Sequence, residues 1–153
     1  MKKSAGILLY RIVNKQPEVL LVHPGGPFFK NKDEGSWSVP KGEFNDDEDA
    51  LDAAKREFKE ETGFSCSGNF LPLAPVKLKS GKTVYAWALE QDIDTSKIKS
   101  NEFEIEWPPK SGRQQRFPEI DKARWFSAAE AKLKINAAQA AFIDELIVYL
   151  KDL

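Results

Sequence analysis

Glu57, Glu60 and Glu61 recur at spacings of three and four inside a run, residues 49–62, that is rich in Ala, Leu, Glu, Lys and Arg and holds neither Gly nor Pro. Such a run should be helical, and that spacing puts all three acids on one face. Like charges so placed repel, and a hard divalent cation with a preference for oxygen ligands, Mg2+ or Mn2+, relieves them. Taken alone, E-x-x-E-E is more often a solvated acidic face. Arg56 precedes Glu57 in sequence but points elsewhere on the helix. Glu48 lies eight residues before Arg56, a little over two turns, so a bridging or orienting role for Arg56 is reasonable.

The surrounding residues decide between the two readings. Residues 42–64 read GEFNDDEDALDAAKREFKEETGF. They fill every fixed position of G-x5-E-x7-R-E-U-x-E-E-x-G-U, with U apolar, so this segment resembles the Nudix hydrolase family. The resemblance implies an αβα sandwich, a divalent metal held by the Gly42 carbonyl and the carboxylates of Glu57, Glu60 and Glu61, and water attack on a nucleoside diphosphate linked to another moiety. A metal suits that chemistry because it neutralises phosphate charge and polarises the attacked phosphorus.

Further residues refine the resemblance. Trp37-Ser38-Val39-Pro40-Lys41-Gly42 is similar to W-x-x-P-K-G segments in the branch that hydrolyses diadenosine polyphosphates and in some of its relatives. Lys41 would put a mobile ammonium beside a polyphosphate; the plain alternative is a surface lysine. Trp37 either stacks a base or lies in the core. Glu119 stands six residues before Trp125, a spacing at which many relatives carry a glutamate that reaches the metal site or acts as base. Catalysis is therefore expected from Glu57, Glu60, Arg56 and Glu119, with Glu57 and Glu119 the rival bases. Glu102, Glu104 and Glu106 share one face of an alternating segment and either line the site, Glu104 and Glu106 foremost, or are simply wet. Lys110, Arg113 and Arg116, with Phe117, suit a phosphate-and-base contact, unless they form a solvated loop.

These residues need elements to hold them. Asp49 is a plausible N-cap with Asp52 three residues on, Gly63 marks the helix stop, and Leu51, Ala54 and Phe58 form an apolar stripe. Strands are expected over 5–13, 19–23, 37–39, 102–107 and 123–126, and a hairpin over 70–79 and 83–90. Residues 14–17 supply a turn, while 24–36 and 108–118 read as loops. Ser127 should cap a helix over 128–134, and 137–150 should form the last helix, with Ala141, Leu146 and Tyr149 in the core. Strands, helix, strands, helices in that order predict an α+β (α/β) fold, a mixed sheet flanked by helices, in one domain spanning 1–153.

Composition narrows the rest. There are 23 Lys and Arg against 24 Asp and Glu, a net charge of -1, so no global field draws the chain to duplex nucleic acid or membrane. The expected partner is a small-molecule nucleotide, most readily a dinucleoside polyphosphate. A nucleoside triphosphate, a nucleotide sugar or an RNA 5′ end is the alternative. A non-catalytic binding module is disfavoured, since no signature glutamate is missing. One cysteine, Cys66, excludes an internal disulfide. His23, the single histidine, ends an apolar run as a strand-end residue with some prospect of touching substrate. With no signal peptide and no long apolar stretch, a cytoplasmic monomer or homodimer is expected.

Overall fold

The computed structural model describes residues 2–152. The longest strand, β1 (Lys3–Val13), turns into β2 (Gln16–Pro24) through Asn14 and Lys15, both at positive φ (52° and 66°). Two successive left-handed residues make the tight turn whose twist suits a hairpin. β3 (Lys41–Phe44) leads to α1 (Ala50–Thr62). After it come β4 (Leu71–Pro72), β5 (Val76–Lys77), β6 (Thr83–Glu90), β7 (Glu102–Glu106), β8 (Gln114–Pro118) and β9 (Ile120–Ser127). Two helices close the fold, α2 (Ala128–Lys134) and α3 (Ala140–Lys151).

Seven strands form one mixed sheet, ordered β4-β6-β1-β2-β9, with β3 on β1 and β5 on β6. β1 and β6 run parallel, Ala5 opposite Tyr85 and Leu9 opposite Leu89. Alternation along β1 serves two cores at once. Ala5, Ile7 and Leu9 pack with Ala53, Ala54 and Phe58 of α1. Leu8 and Tyr10 pack with Phe142, Ile143 and Leu146 of α3 on the other face. The result is the expected αβα sandwich. Phe58 is fully buried, and truncating it to Ala would cost about 3–5 kcal/mol. Among the described residues no helix is long and apolar enough to cross a membrane.

Several local expectations are corrected. Residues 37–39 form only isolated bridges, Val22 with Ser38 and Trp37 with Ile135. Residues 70–79 hold two short strands rather than one arm of a hairpin. The segment 108–118 is not all loop, because β8 pairs with β7 as a separate hairpin. Residues 137–139 are a 3₁₀ turn ahead of α3. Leu146 is buried, but Ala141 is exposed and Tyr149 keeps 37% of its surface.

Candidate active site

The site begins with a division of partners along β1. Residues 3–6 pair with β3, while residues 10–13 pair with β2. Between them Ile7 N–H donates to the Pro40 carbonyl at 3.2 Å. Gly6 permits this crossing, since a Cβ there would lie 2.5 Å from that oxygen. The crossing delivers Gly42 opposite Ala5, facing α1.

α1 is fixed at both ends. The Asp49 carboxylate accepts from Asp52 N–H at 3.1 Å, and Gly63, at φ 83°, donates to the Lys59 carbonyl. Its acidic face meets β3 at close range. A Cβ on Gly42 would lie 1.9 Å from Glu57 Cδ, so only glycine leaves room for that carboxylate. Lys41 N–H donates to Glu61 Oε1 at 3.3 Å. Glu57 and Glu61 are buried and Glu60 half-buried.

Arg56 does not point away from this face, as the sequence suggested. Its Nε and Nη2 grip Glu48 at 2.9 and 3.0 Å, and its Nη1 donates to Glu57 at 2.9 Å and Glu60 at 3.3 Å. The guanidinium is held ionised by the hydrogen bond to Glu48, and the same bond holds the Glu48 carboxyl below the usual range.

The remaining charges are uncomfortable. Burial pushes the Glu61 carboxyl up to about 8 against the pull of Lys41. Burial, then Glu60, raises Glu57, with Arg56 opposing. Lys41 is not a mobile surface cation: its side chain is half-buried, and burial followed by Lys82 lowers its pKa. Lys82 itself pairs with Glu43 at 2.8 Å. Nothing in the spacing of the sequence pointed to Lys82.

Glu119 joins this group from the other side. It sits between β8 and β9, where the β2–β9 register shifts at His23/Pro24, and such irregularities re-aim side chains. Its N–H donates to the Asn101 carbonyl and its own carbonyl accepts from Gly25 N–H, each at 2.8 Å. Asn101 N–H in turn donates to the Glu60 carbonyl at 2.8 Å. Burial, then Glu60, raises the Glu119 carboxyl. Asn101 had no signature in the sequence because it works through its backbone.

Other candidates stand apart. Trp37 is a core residue, 1% exposed, with Nε1 donating to Asp33 at 2.8 Å and its ring edge-on to Phe126; it does not face a substrate. His23 is buried between Asp121 and the Lys32 carbonyl. Glu106 accepts from Lys110 and Gly112 N–H at the β7–β8 turn. Glu104 and Arg113 are exposed on that hairpin, and among the described residues no hydrogen bond or ion pair links their side chains to the α1 acids.

A polar groove of about 450 Å³ opens beside the cluster, lined by Lys3, Glu43, Asn45, Glu48 and Arg56 among others. Among the described residues no three acidic, histidine or cysteine side chains already converge as a metal cage. Arg56 Nη1 bridges Glu57 and Glu60 at 2.9 and 3.3 Å. The donor set nevertheless suits a hard cation. It is all oxygen, two of its carboxylates are buried without sufficient compensating charge, and glycine at 42 brings a backbone carbonyl segment against them.

Comparison with known proteins identifies the family and the fold. Residues 2–146 match the family model of the NUDIX domain. A C. elegans Ap4A hydrolase, solved as a binary complex, superposes with a TM-score of 0.69 at 20% identity over 100% of both chains. The NUDIX domain of Shewanella oneidensis NrtR, solved with ADP ribose, gives a TM-score of 0.62 at 16% identity, covering 97% of this chain and 87% of that one. A Nudix hydrolase from M. smegmatis, RenU, gives 0.60 at 19% identity over 99% and 86%. No curated protein sequence matches. At these identities the solved structures speak for the fold, and family membership rests on the family model spanning most of the chain. Nudix hydrolases generally use divalent metal ions, and with a complete signature set on that fold this chain belongs to the Nudix family as a pyrophosphohydrolase.

Proposed function

We propose that this chain hydrolyses a phosphoanhydride bond in a nucleoside diphosphate linked to a second moiety, with a dinucleoside polyphosphate such as diadenosine tetraphosphate as substrate. The observation that carries this reading is the half-buried ammonium of Lys41, set against the buried Glu57 and Glu61 without a carboxylate in ion-pair distance among the described residues. A cation so placed suits a phosphate beyond the one under attack, and a long polyphosphate supplies it.

The Gly42 carbonyl and the carboxylates of Glu57, Glu60 and Glu61 would hold Mg2+ or Mn2+. When bound, the cation neutralises charge on the phosphates and polarises the attacked phosphorus. Arg56, braced by Glu48, positions Glu57 and Glu60. Glu119 lies outside the helix on a clamped backbone, and its raised pKa makes it a better base for taking a proton from the attacking water than a free carboxylate.

The test is a panel of nucleotides with Mg2+ or Mn2+ and chromatographic resolution of products. Release of a nucleoside triphosphate from diadenosine tetraphosphate is the expected result. Monophosphate and pyrophosphate from single nucleoside triphosphates, with no action on dinucleoside polyphosphates, would refute the substrate assignment. Tight binding without turnover would refute catalysis.

A further inference from the structure

Among the described residues the β7–β8 hairpin pairs with no other strand. A two-stranded hairpin is marginal in water by itself, so other contacts must hold it. At its root lie the Asn101 bonds to Glu60 and Glu119. Midway, Phe103 packs on Gly26, where a Cβ would come within 2.8 Å of the ring. Near the turn, Trp107 meets Phe28 edge-on with ring centroids 5.5 Å apart. The turn is fixed by Glu106, whose two carboxylate oxygens accept from Lys110 and Gly112 N–H, both at 3.1 Å. The hairpin is thus an arm ordered to its tip.

Two features beside its turn stay open to solvent. Phe28 keeps 61% of its surface exposed despite its contact with Trp107. Lys110 and Arg113 are exposed and among the described residues their side-chain cations have no carboxylate partner, whereas Arg116 pairs with Glu102 at 3.5 Å. An open aromatic ring against an arm that carries unpaired cations at its turn suits a nucleobase and its phosphate. Trp107 N–H bonds the Arg113 carbonyl, six residues along β8 from Glu119. At ~3.3 Å per strand residue the spot lies about 20 Å from Glu119. That is the length scale of two nucleosides joined by a polyphosphate.

We infer that Phe28, Trp107 and Arg113 form a subsite for the distal nucleoside of the substrate, Phe28 stacking the base and Arg113 holding its phosphate. This rests on the dinucleoside polyphosphate reading and assigns its second half. The test compares diadenosine tetraphosphate with adenosine 5′-tetraphosphate, which lacks that nucleoside. Phe28→Leu keeps an apolar side chain against Trp107 but removes the stacking face. It should raise KM for diadenosine tetraphosphate about 10-fold, the effect of one lost base–aromatic stack. KM for adenosine 5′-tetraphosphate and kcat for both should stay unchanged. Arg113→Gln should instead raise KM for both ligands, because adenosine 5′-tetraphosphate keeps the fourth phosphate. With Phe28→Leu, equal rises for both substrates or none for either overturn the inference, as does an unchanged KM with Arg113→Gln. Calorimetric titration of both ligands into Glu60→Gln protein repeats the comparison without turnover. If the wild type hydrolyses neither ligand, the proposed activity fails, and the subsite is still judged by binding. Preference for the two-nucleoside ligand that Phe28→Leu abolishes supports it, and absence of that preference overturns it.

Discussion

Replacing Glu61 with Gln reads out the electrostatic strain of the site. Glu61 is 8% exposed and burial pushes its carboxyl up to about 8, from ~4.3 in a free glutamate. With the folded pKa above the unfolded one, the folded chain holds this proton more tightly. Its contribution to stability is complete below about pH 4.3 and is lost as pH rises through about 8. At ~1.36 kcal/mol per pH unit the whole effect is on the order of 5 kcal/mol, an upper limit. A fraction of it is measurable, since ~1 kcal/mol moves the Tm of a chain this size by about 2–4 °C. Thermal melts in EDTA at pH 5 and pH 8.5 should show wild type losing Tm with rising pH. Glu61→Gln carries no charge at either pH, so its loss should be smaller, leaving only what Glu57 and Glu119 contribute in the same direction. At pH 8.5 the variant should melt above wild type. Added Mg2+ should reverse the order by stabilising the ionised site. Parallel pH slopes for the two proteins, or a variant less stable at pH 8.5, would refute the reasoning.

Gly42→Ala places a methyl 1.9 Å from Glu57 Cδ, so the carboxylate must move; Mn2+ affinity by titration should fall ~10–100-fold with the circular dichroism spectrum preserved, and an unchanged Kd sinks the ligand assignment. Lys41→Ala should raise KM for polyphosphates more than it lowers kcat and flatten the dependence on phosphate chain length; identical KM values for tri-, tetra- and pentaphosphate linkages would remove Lys41 from the site. Glu119→Gln should lower kcat by ~10²–10⁴, abolish the acidic limb of the pH–rate profile and leave metal affinity nearly unchanged, whereas Glu57→Gln should lower both rate and affinity. Retained activity in Glu119→Gln, with loss in Glu104→Gln or Glu106→Gln, would transfer the base to β7.

Much of the fold and of the site was legible wherever the signal is local. The α1 helix, its Asp49 cap and its Gly63 stop follow from residue type and spacing, as does the Ser127 cap of α2. The pattern Glu102–Trp107 alternates, and β7 lies within it. What failed depended on which partner a residue meets, and residue type and spacing do not name that partner. β3 contains a glycine and looks like loop, and pairing with β1 makes it a strand. β8, Gln114–Pro118, has little apolar character and is a strand because β7 lies beside it. Trp37 could be placed only once Asp33 was seen to satisfy its indole N–H. Arg56 follows the same rule, since its rotamer is chosen by Glu48 and Glu57 together.

The parallel pairing of β1 with β6 has a bearing on how the molecule acquires its function. Ala5 takes Gly42 on one edge and Tyr85 on the other, so the central strand is completed by a segment some 80 residues further along the chain. Contacts of such separation form slowly, because a long loop must close before they stabilise anything. α1 can form early from its own sequence, but its glutamates then face water with no glycine strand against them. Competence to bind a cation should therefore arrive late in refolding, with the closure of β6 onto β1 and not with the appearance of helix.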